Sequence, residues 1–178
     1  MSLNIRPATP ADAVPLSLLG TSVWIDTYAD SGLTPAVIER VTERFDRSTV
    51  EQLLADPRAT AFVAEWNGGA VGCAWLQAGS PCPAAAQRTL ELTTMYVLRR
   101  CHGRGIGAAL WARCREHANT ALGSGALWLR VNSKNSGALA FYARQGLQRI
   151  GSIDVRFDGV DNENFLLAEA DAARVMSP

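Results

Sequence analysis

The stretch RRCHGRGIGAALW, residues 99–111, places Gly103, Gly105 and Gly107 at alternate positions between a cluster of arginines and an alanine-rich apolar run. Glycine loses more backbone freedom on folding than any other residue, so this spacing narrows what the segment can be. Either the backbone only turns here, with glycines for close helix packing, or something approaches it too closely for a Cβ. RTLELTTMYVL (88–98) before it is rich in β-branched and aromatic residues and predicts a strand. After it, Ile106, Leu110, Cys114 and Ala118 stand at i, i+4 spacing and predict a helix. A strand, a glycine turn and a helix start in succession make a seat for phosphate. Successive N–H groups converge there, and the helix end adds partial positive charge.

The rest of the chain supplies the frame. LNIRPAT (3–9) alternates as a first strand, and Thr9, Pro10 and Asp12 then give a cap, a proline in the first turn and an acid. A helix follows through AVPLSLLGTSVWIDTY, and Thr34-Pro35 start a second whose face carries Ile38, Val41 and Phe45. Ser48 and Glu51 have capping-box spacing, which predicts a short third helix over 48–54. ATAFVAEW and AVGCAWLQ flank Asn67-Gly68-Gly69, a hairpin signal. GSPCPAAAQ (79–87) reads as a loop, ALWLRVN (126–132) as a strand, and SGALAFYARQG (136–146) as a short helix with a left-handed cap at Gly146. QRIGSIDVRFD and ENFLLAEA read as a closing hairpin. The order is β-ααα-ββ-β-α-β-α-β-β, an α/β domain with a mixed sheet. At 178 residues the chain is expected to form one domain over 1–170, with a frayed tail over 171–178.

Three motifs compete for the glycine turn. A P-loop needs GxxxxGK followed by Ser or Thr, which is missing. A dinucleotide fold fits better, because Gly103, Gly105 and Ala108 satisfy G-x-G-x-x-A. That fold, however, wants the turn after the first strand of its unit and an acid about 20 residues on, whereas here several strands precede it and the next strand ends in Val131-Asn132. The third candidate is a resemblance. MYVLRRCHGRGIGAALW resembles the coenzyme A-binding segment of the GNAT superfamily of acetyl-CoA-dependent N-acetyltransferases. The matching residues are Met95, Tyr96 and Val97, then His102, Gly103, Arg104, Gly105, Ile106, Gly107 and, within G-x-G-x-x-A, Ala108. His102 stands where glutamine or arginine is usual; the resemblance gives the pyrophosphate largely to backbone N–H groups, so the change is expected to be tolerated. VNSKNSGALAFYARQGL (131–147) is similar to a later segment of the same superfamily through Val131, Asn135, Ala138, Phe141, Tyr142 and Gly146, with Leu147 in place of phenylalanine. The order of elements agrees along nearly the whole chain. The resemblance thus implies a GNAT-like, mostly antiparallel sheet flanked by helices.

The resemblance implies direct transfer of an acetyl group from acetyl-CoA, the cosubstrate, to an amine, without a covalent enzyme intermediate. An alkyl amine with a pKa near ~10 must lose a proton, the developing oxyanion needs a donor, and the departing thiolate benefits from a proton. The superfamily's tyrosine maps onto Tyr142, a phenol that stays protonated near neutral pH and can donate to a thiolate; the alternative is a core aromatic. Glu91 is out of place as a charge in LELTTMYV. It stands where some members carry the glutamate that activates the amine, and its alternative is a surface residue or salt-bridge partner. The resemblance gives the oxyanion to a backbone N–H at Met95 or its neighbour, and gives Asn135 a contact with the pantetheine arm or the bound cofactor. Arg99, Arg100 and Arg104 add positive charge near the phosphates or are ordinary surface arginines.

Net charge is zero, so nothing in the composition points to nucleic acid or a membrane surface. No apolar run approaches the roughly 20 residues that span a bilayer, and MSLNIRPATPAD lacks the apolar segment of a secretory signal; the expectation is a cytoplasmic protein. Cys73, Cys82, Cys101 and Cys114 show no paired spacing, and with His102 and His117 they complete no metal set. Cys101 beside His102 raises a covalent acyl carrier as a rival, but no third group orients the pair.

The acceptor expected is a small-molecule primary amine. Looser similarity through DTY, ERF, STVEQLLADP and VRFDGVDNEN points to the polyamine and diamine branch. Asp26, Asp30, Glu43, Asp158, Asp161 and Glu163 either attract a cation or form a solvated surface. A peptide or protein acetyltransferase and a non-catalytic acyl-CoA sensor are the alternatives. Dimers are common among the proteins this chain resembles, so a homodimer is allowed.

Overall fold

The computed structural model describes residues 2–29, 32–123, 126–157 and 159–170. Asp30, Asp158 and the tail 171–178 lie outside the described residues. The elements are β1 (Leu3–Pro7), α1 (Ala13–Tyr28), α2 (Pro35–Phe45), α3 (Arg47–Ala55), β2 (Ala59–Trp66), β3 (Gly69–Ala78), β4 (Leu90–Val97), α4 (Ile106–Leu122), β5 (Leu127–Asn132), α5 (Ser136–Arg144), β6 (Leu147–Phe157) and β7 (Val160–Glu169). Two single-turn 3-10 helices, Pro10–Asp12 and Arg99–Cys101, precede α1 and the glycine turn. The order is the one read from the sequence. The strands form a seven-stranded sheet in the order β1-β2-β3-β4-β5-β7-β6, and the fold is the mixed, mostly antiparallel α/β sheet with helices. No described helix is long and apolar enough to cross a membrane.

The chain divides into two compact units, the first of residues 1–76 and 94–114, the second of 77–93 and 115–178. In the first, β1 pairs antiparallel with β2 from Leu3↔Trp66 to Pro7↔Phe62. Asn67 (φ 51°) and Gly68 (φ +83°) both turn left-handed, which is the type I′ geometry that suits the twist of a two-residue hairpin. Phe62, Val63, Cys73, Leu76, Ile106, Leu110, Trp111 and Cys114 are fully buried. The i, i+4 stripe of α4 therefore lies in the core.

Two local expectations shift. The buried face of α2 runs Val37, Val41, Phe45, while Ile38 is 48% exposed. Thr34 does cap α2, accepting from the Val37 N–H at 3.3 Å. For α3 the cap is Asp46, which accepts from the Ser48 N–H at 2.9 Å, and Glu51 pairs with Arg47 instead. Asp46 precedes Ser48 and reaches the first free N–H groups sooner, so the Ser48–Glu51 box does not form.

The start of α1 is a charged clasp. Asp12 accepts from the Thr9 N–H at 2.7 Å and from both Arg6 terminal nitrogens at 2.8 and 2.7 Å. The Arg6 guanidinium holds the Asp12 carboxyl far below the usual carboxylate range. Since the native state gives up this proton more readily than the unfolded chain, the stabilisation is present above the ordinary Asp pKa of ~3.9 and fades as pH falls below it. Asp12→Asn is expected to cost about 1.5–3 kcal/mol at pH 7, the range for hydrogen bonds to charged groups. Urea melts should show the gap narrowing below about pH 4; an equal gap at pH 7 and pH 3 would assign the loss to something other than the ion pair.

In the second unit, β4 pairs in parallel with β5 from Leu90↔Leu127 to Leu92↔Leu129. β5 pairs antiparallel with β7, and β6 with β7 along ten residue pairs from Leu147↔Glu169 to Phe157↔Val160, with a register shift at Arg149/Gly151. Cys82, Trp128, Leu166 and Ala168 form one buried cluster in it, with Ala85, Ile150 and Ile153 against them. The loop over 79–89 is tied down by Arg88, which is buried and donates to the carbonyls of Leu127 (3.4 Å) and Glu169 (2.8 Å).

Candidate active site

In the first unit, the end of β4 leads into the glycine turn. Leu98 is buried, and its N–H donates to the Val71 carbonyl at 2.9 Å. Arg99–Cys101 make a 3-10 turn, closed by Cys101 N–H on Leu98 O (2.7 Å) and His102 N–H on Arg99 O (3.1 Å). Gly103 and Gly105 then both adopt φ +76°, and a Cβ built on either meets nothing within 4 Å. They are glycines for backbone conformation in open space, not for tight packing. The chain from His102 to Gly105 is exposed. Ile106 opens α4 and is buried. The first N–H groups of a helix have no partner within it; here these belong to Gly105, Ile106, Gly107 and Ala108, at the head of a 17-residue helix. That is a cradle of donors with the positive end of a helix behind it, and its chemistry fits a diphosphate.

The structure removes the His102 N–H from that set, because it is bonded to Arg99. The His102 ring turns back instead, its Nε2 standing 2.9 Å from the Val97 carbonyl. The ring is therefore engaged away from Cys101, whose side chain is buried. Arg104 lies over the Trp66 ring, 5.5 Å from its centre, while Arg99 and Arg100 are exposed. Met95, Tyr96 and Val97 are half-buried at the end of β4. Burial pushes the Tyr96 phenol up to about 12, with Arg44 opposing, so Tyr96 is a proton donor and no base near neutral pH. Burial likewise pushes the Cys73 and Cys114 thiols up to about 12. They are inert as nucleophiles. Arg44 donates to the Thr94 hydroxyl at 3.0 Å, a contact no sequence signal announced.

The second unit holds the remaining predicted residues. Glu91 lies in the β4–β5 ladder opposite Trp128 and is 6% exposed. Its Oε2 accepts from the Ser80 hydroxyl at 2.7 Å, and Ser80 in turn accepts through its carbonyl from the Trp128 indole at 2.8 Å. The Arg130 Nε stands 3.3 Å from Oε1, close enough for an ion pair, but Oε1 takes no hydrogen bond. That oxygen keeps its accepting capacity. Arg130 is a lone charge in LWLRVN as Glu91 is in LELTTMYV; two opposite charges, each the lone one of its strand, were the available hint. Ser80 carried none.

Asn135 caps α5, its Oδ1 accepting from the Ala138 N–H at 3.0 Å. What its side chain can offer a ligand is its amide N–H groups. Tyr142 is 7% exposed on α5, its ring edge-on to Phe141 at 5.1 Å. Gly146 ends that element at φ +86°, as a left-handed cap does. Among the acids named for an acceptor, Asp161 pairs with Arg156 and Glu163 with Arg149; Asp26 and Glu43 are exposed.

Comparison with known proteins gives the family and the fold. The family model described as the acetyltransferase (GNAT) family matches residues 24–147. An uncharacterized N-acetyltransferase of Mycobacterium tuberculosis is 37% identical over 115 residues, covering 64% of this chain and 67% of that protein. Among solved structures, the PaiA N-acetyltransferase of Thermoplasma acidophilum in complex with coenzyme A has a TM-score of 0.76 at 18% identity, covering 96% of this chain and 100% of that one. A spermidine N-acetyltransferase SpeG chimera from Vibrio cholerae and hSSAT has a TM-score of 0.70 at 16% identity, covering 99% and 100%. At such identities these structures speak for the fold.

Proposed function

We propose that this chain, which belongs to the acetyltransferase (GNAT) family and is an acetyl-CoA-dependent N-acetyltransferase, moves the acetyl group directly onto a primary amine of a small molecule. The single observation that carries the reading is the glycine turn, left-handed at Gly103 and Gly105 in open space at the head of α4. The coenzyme A complex of the Thermoplasma protein on the same fold supports it.

Acetyl-CoA, when bound, supplies the acetyl group as a thioester whose carbon–sulfur bond breaks to a thiolate. Backbone N–H groups from Gly103 to Ala108 hold the diphosphate, with Arg104 adding positive charge. The N–H of Met95 or its neighbour donates to the carbonyl oxygen as negative charge gathers there. The Asn135 amide N–H groups contact the pantetheine arm. Tyr142 gives its hydroxyl proton to the departing sulfur. Glu91 takes the proton of the amine, directly or through water; Oε1, buried and without a hydrogen bond, supports this role. Residues 1–170 act as one transferase domain, and the family match runs through segments of both units.

A polyamine is the acceptor placed first. The exposed Asp26 and Glu43 and the spermidine acetyltransferase neighbour support it, while Asp161 and Glu163 are already bonded to arginine. The test is thiol release from acetyl-CoA against polyamines, amino acids, aminoglycosides and peptides. Release with polyamines above the rest is expected. Glu91→Gln should lower kcat at least tenfold, at the low end of general-base effects or below, with acetyl-CoA affinity kept. An unchanged kcat would leave Glu91 only its ion pair with Arg130. Release with peptides alone would make this a peptide acetyltransferase, and acetyl-CoA binding without release would make it a sensor.

A further inference from the structure

We infer that His102 is a positioning residue: its ring ties the glycine turn to the end of β4 and so sets the diphosphate seat relative to the donors that meet the thioester. The inference rests on the turn being that seat. A carbonyl can only accept, so the ring donates to Val97 O through Nε2–H. The bond joins the last residue of β4 to the residue that opens the exposed turn, five positions on.

The anchoring up to this point is one-sided. Leu98 is fastened to β3 through Val71, and Cys101 is buried. From His102 to Gly105 the chain is exposed and twice left-handed. Glycines without a Cβ hold their conformation weakly; the His102 ring draws this segment back to the end of β4, while Arg104 packs over the Trp66 ring of β2. Met95 to Val97 and the turn would grip two ends of one ligand, joined by an arm of set covalent length. If the turn drifts from the strand, contacts at one end are kept only by losing those at the other. The latch therefore acts on the binding of a diphosphate-bearing thioester and leaves the chemical step alone. Glutamine carries an amide donor of similar reach; asparagine is one methylene shorter.

The experiment compares acetyl-CoA with S-acetylpantetheine, which has the thioester and the arm but no diphosphate. His102→Ala should raise KM for acetyl-CoA about three- to tenfold, the loss of one ordinary hydrogen bond. Its kcat should stay within about twofold, and its kcat/KM for S-acetylpantetheine should not change, because the latch serves only the diphosphate. His102→Gln should restore the wild-type KM and His102→Asn should not. On the wild-type protein, nitrogen-15 NMR should find the neutral His102 ring protonated at Nε2, a readout independent of how any variant folds. An unchanged KM in His102→Ala, an equal loss on both thioesters, or a ring protonated at Nδ1 would overturn the inference. Wild-type protein that binds no acetyl-CoA would overturn the seat itself, and the latch with it.

Discussion

Calorimetry of Gly105→Val is expected to show no heat with acetyl-CoA, while the protein stays folded. Gly105 has φ +76° with open space where a Cβ would stand, so the side chain meets no clash in the fold itself. The cost comes from the backbone. An L-residue in the left-handed region loses roughly 1–2 kcal/mol, and a β-branched one is a clear outlier there. The turn relieves that strain by rotating, which takes the N–H groups at the head of α4 out of line. Losing two hydrogen bonds to a charged group, at about 1.5–3 kcal/mol each, corresponds to an affinity loss of at least about 100-fold. The valine also projects into the space where the phosphate oxygens would lie. Gly105→Ala should be milder, at about tenfold, because it carries only the left-handed cost. Affinity for acetyl-CoA within threefold of wild type in the folded valine variant would show that the diphosphate lies elsewhere.

Tyr142→Phe is expected to lower kcat by about 100-fold, in the range for loss of a general acid, while acetyl-CoA affinity changes less than about twofold. The ring stays: Tyr142 is buried beside Phe141, and phenylalanine fills the same volume. Only the hydroxyl is removed. If its proton goes to the departing sulfur, the fractional loss must be the same for every amine the enzyme acetylates, because the leaving group never changes. Parallel kcat measurements on two unlike amines check this. A loss confined to one amine would move Tyr142 to acceptor binding, and no loss would return it to the core.

Most of the fold was legible because it is local. Asn67-Gly68 can take left-handed geometry at both positions, so the hairpin could be read from two residues. Thr34 and Gly146 ended or began helices where their side chain, or lack of one, suits the chain terminus. The misread details are also local, but competitive. Asp46 and Ser48 both could cap α3, and the acid two residues earlier bonds the Ser48 N–H itself. Val37 and Ile38 both begin an apolar stripe on α2, and which one is buried depends on what packs against the helix.

The candidate site was legible to the degree that backbone makes it. Gly103 and Gly105 were read as places for an unhindered main chain, and both are left-handed in open space. Side-chain partnerships were not legible. The sequence alone determined the order of strands and helices and the presence of a turn rich in donors, since propensity and backbone freedom act within a few residues. Only the tertiary structure decided that Glu91 meets Ser80 and Arg130, 11 and 39 positions away, and that His102 turns back on Val97. Such meetings depend on strand register and rotamer, which are settled when distant segments pack, not by the residues on either side.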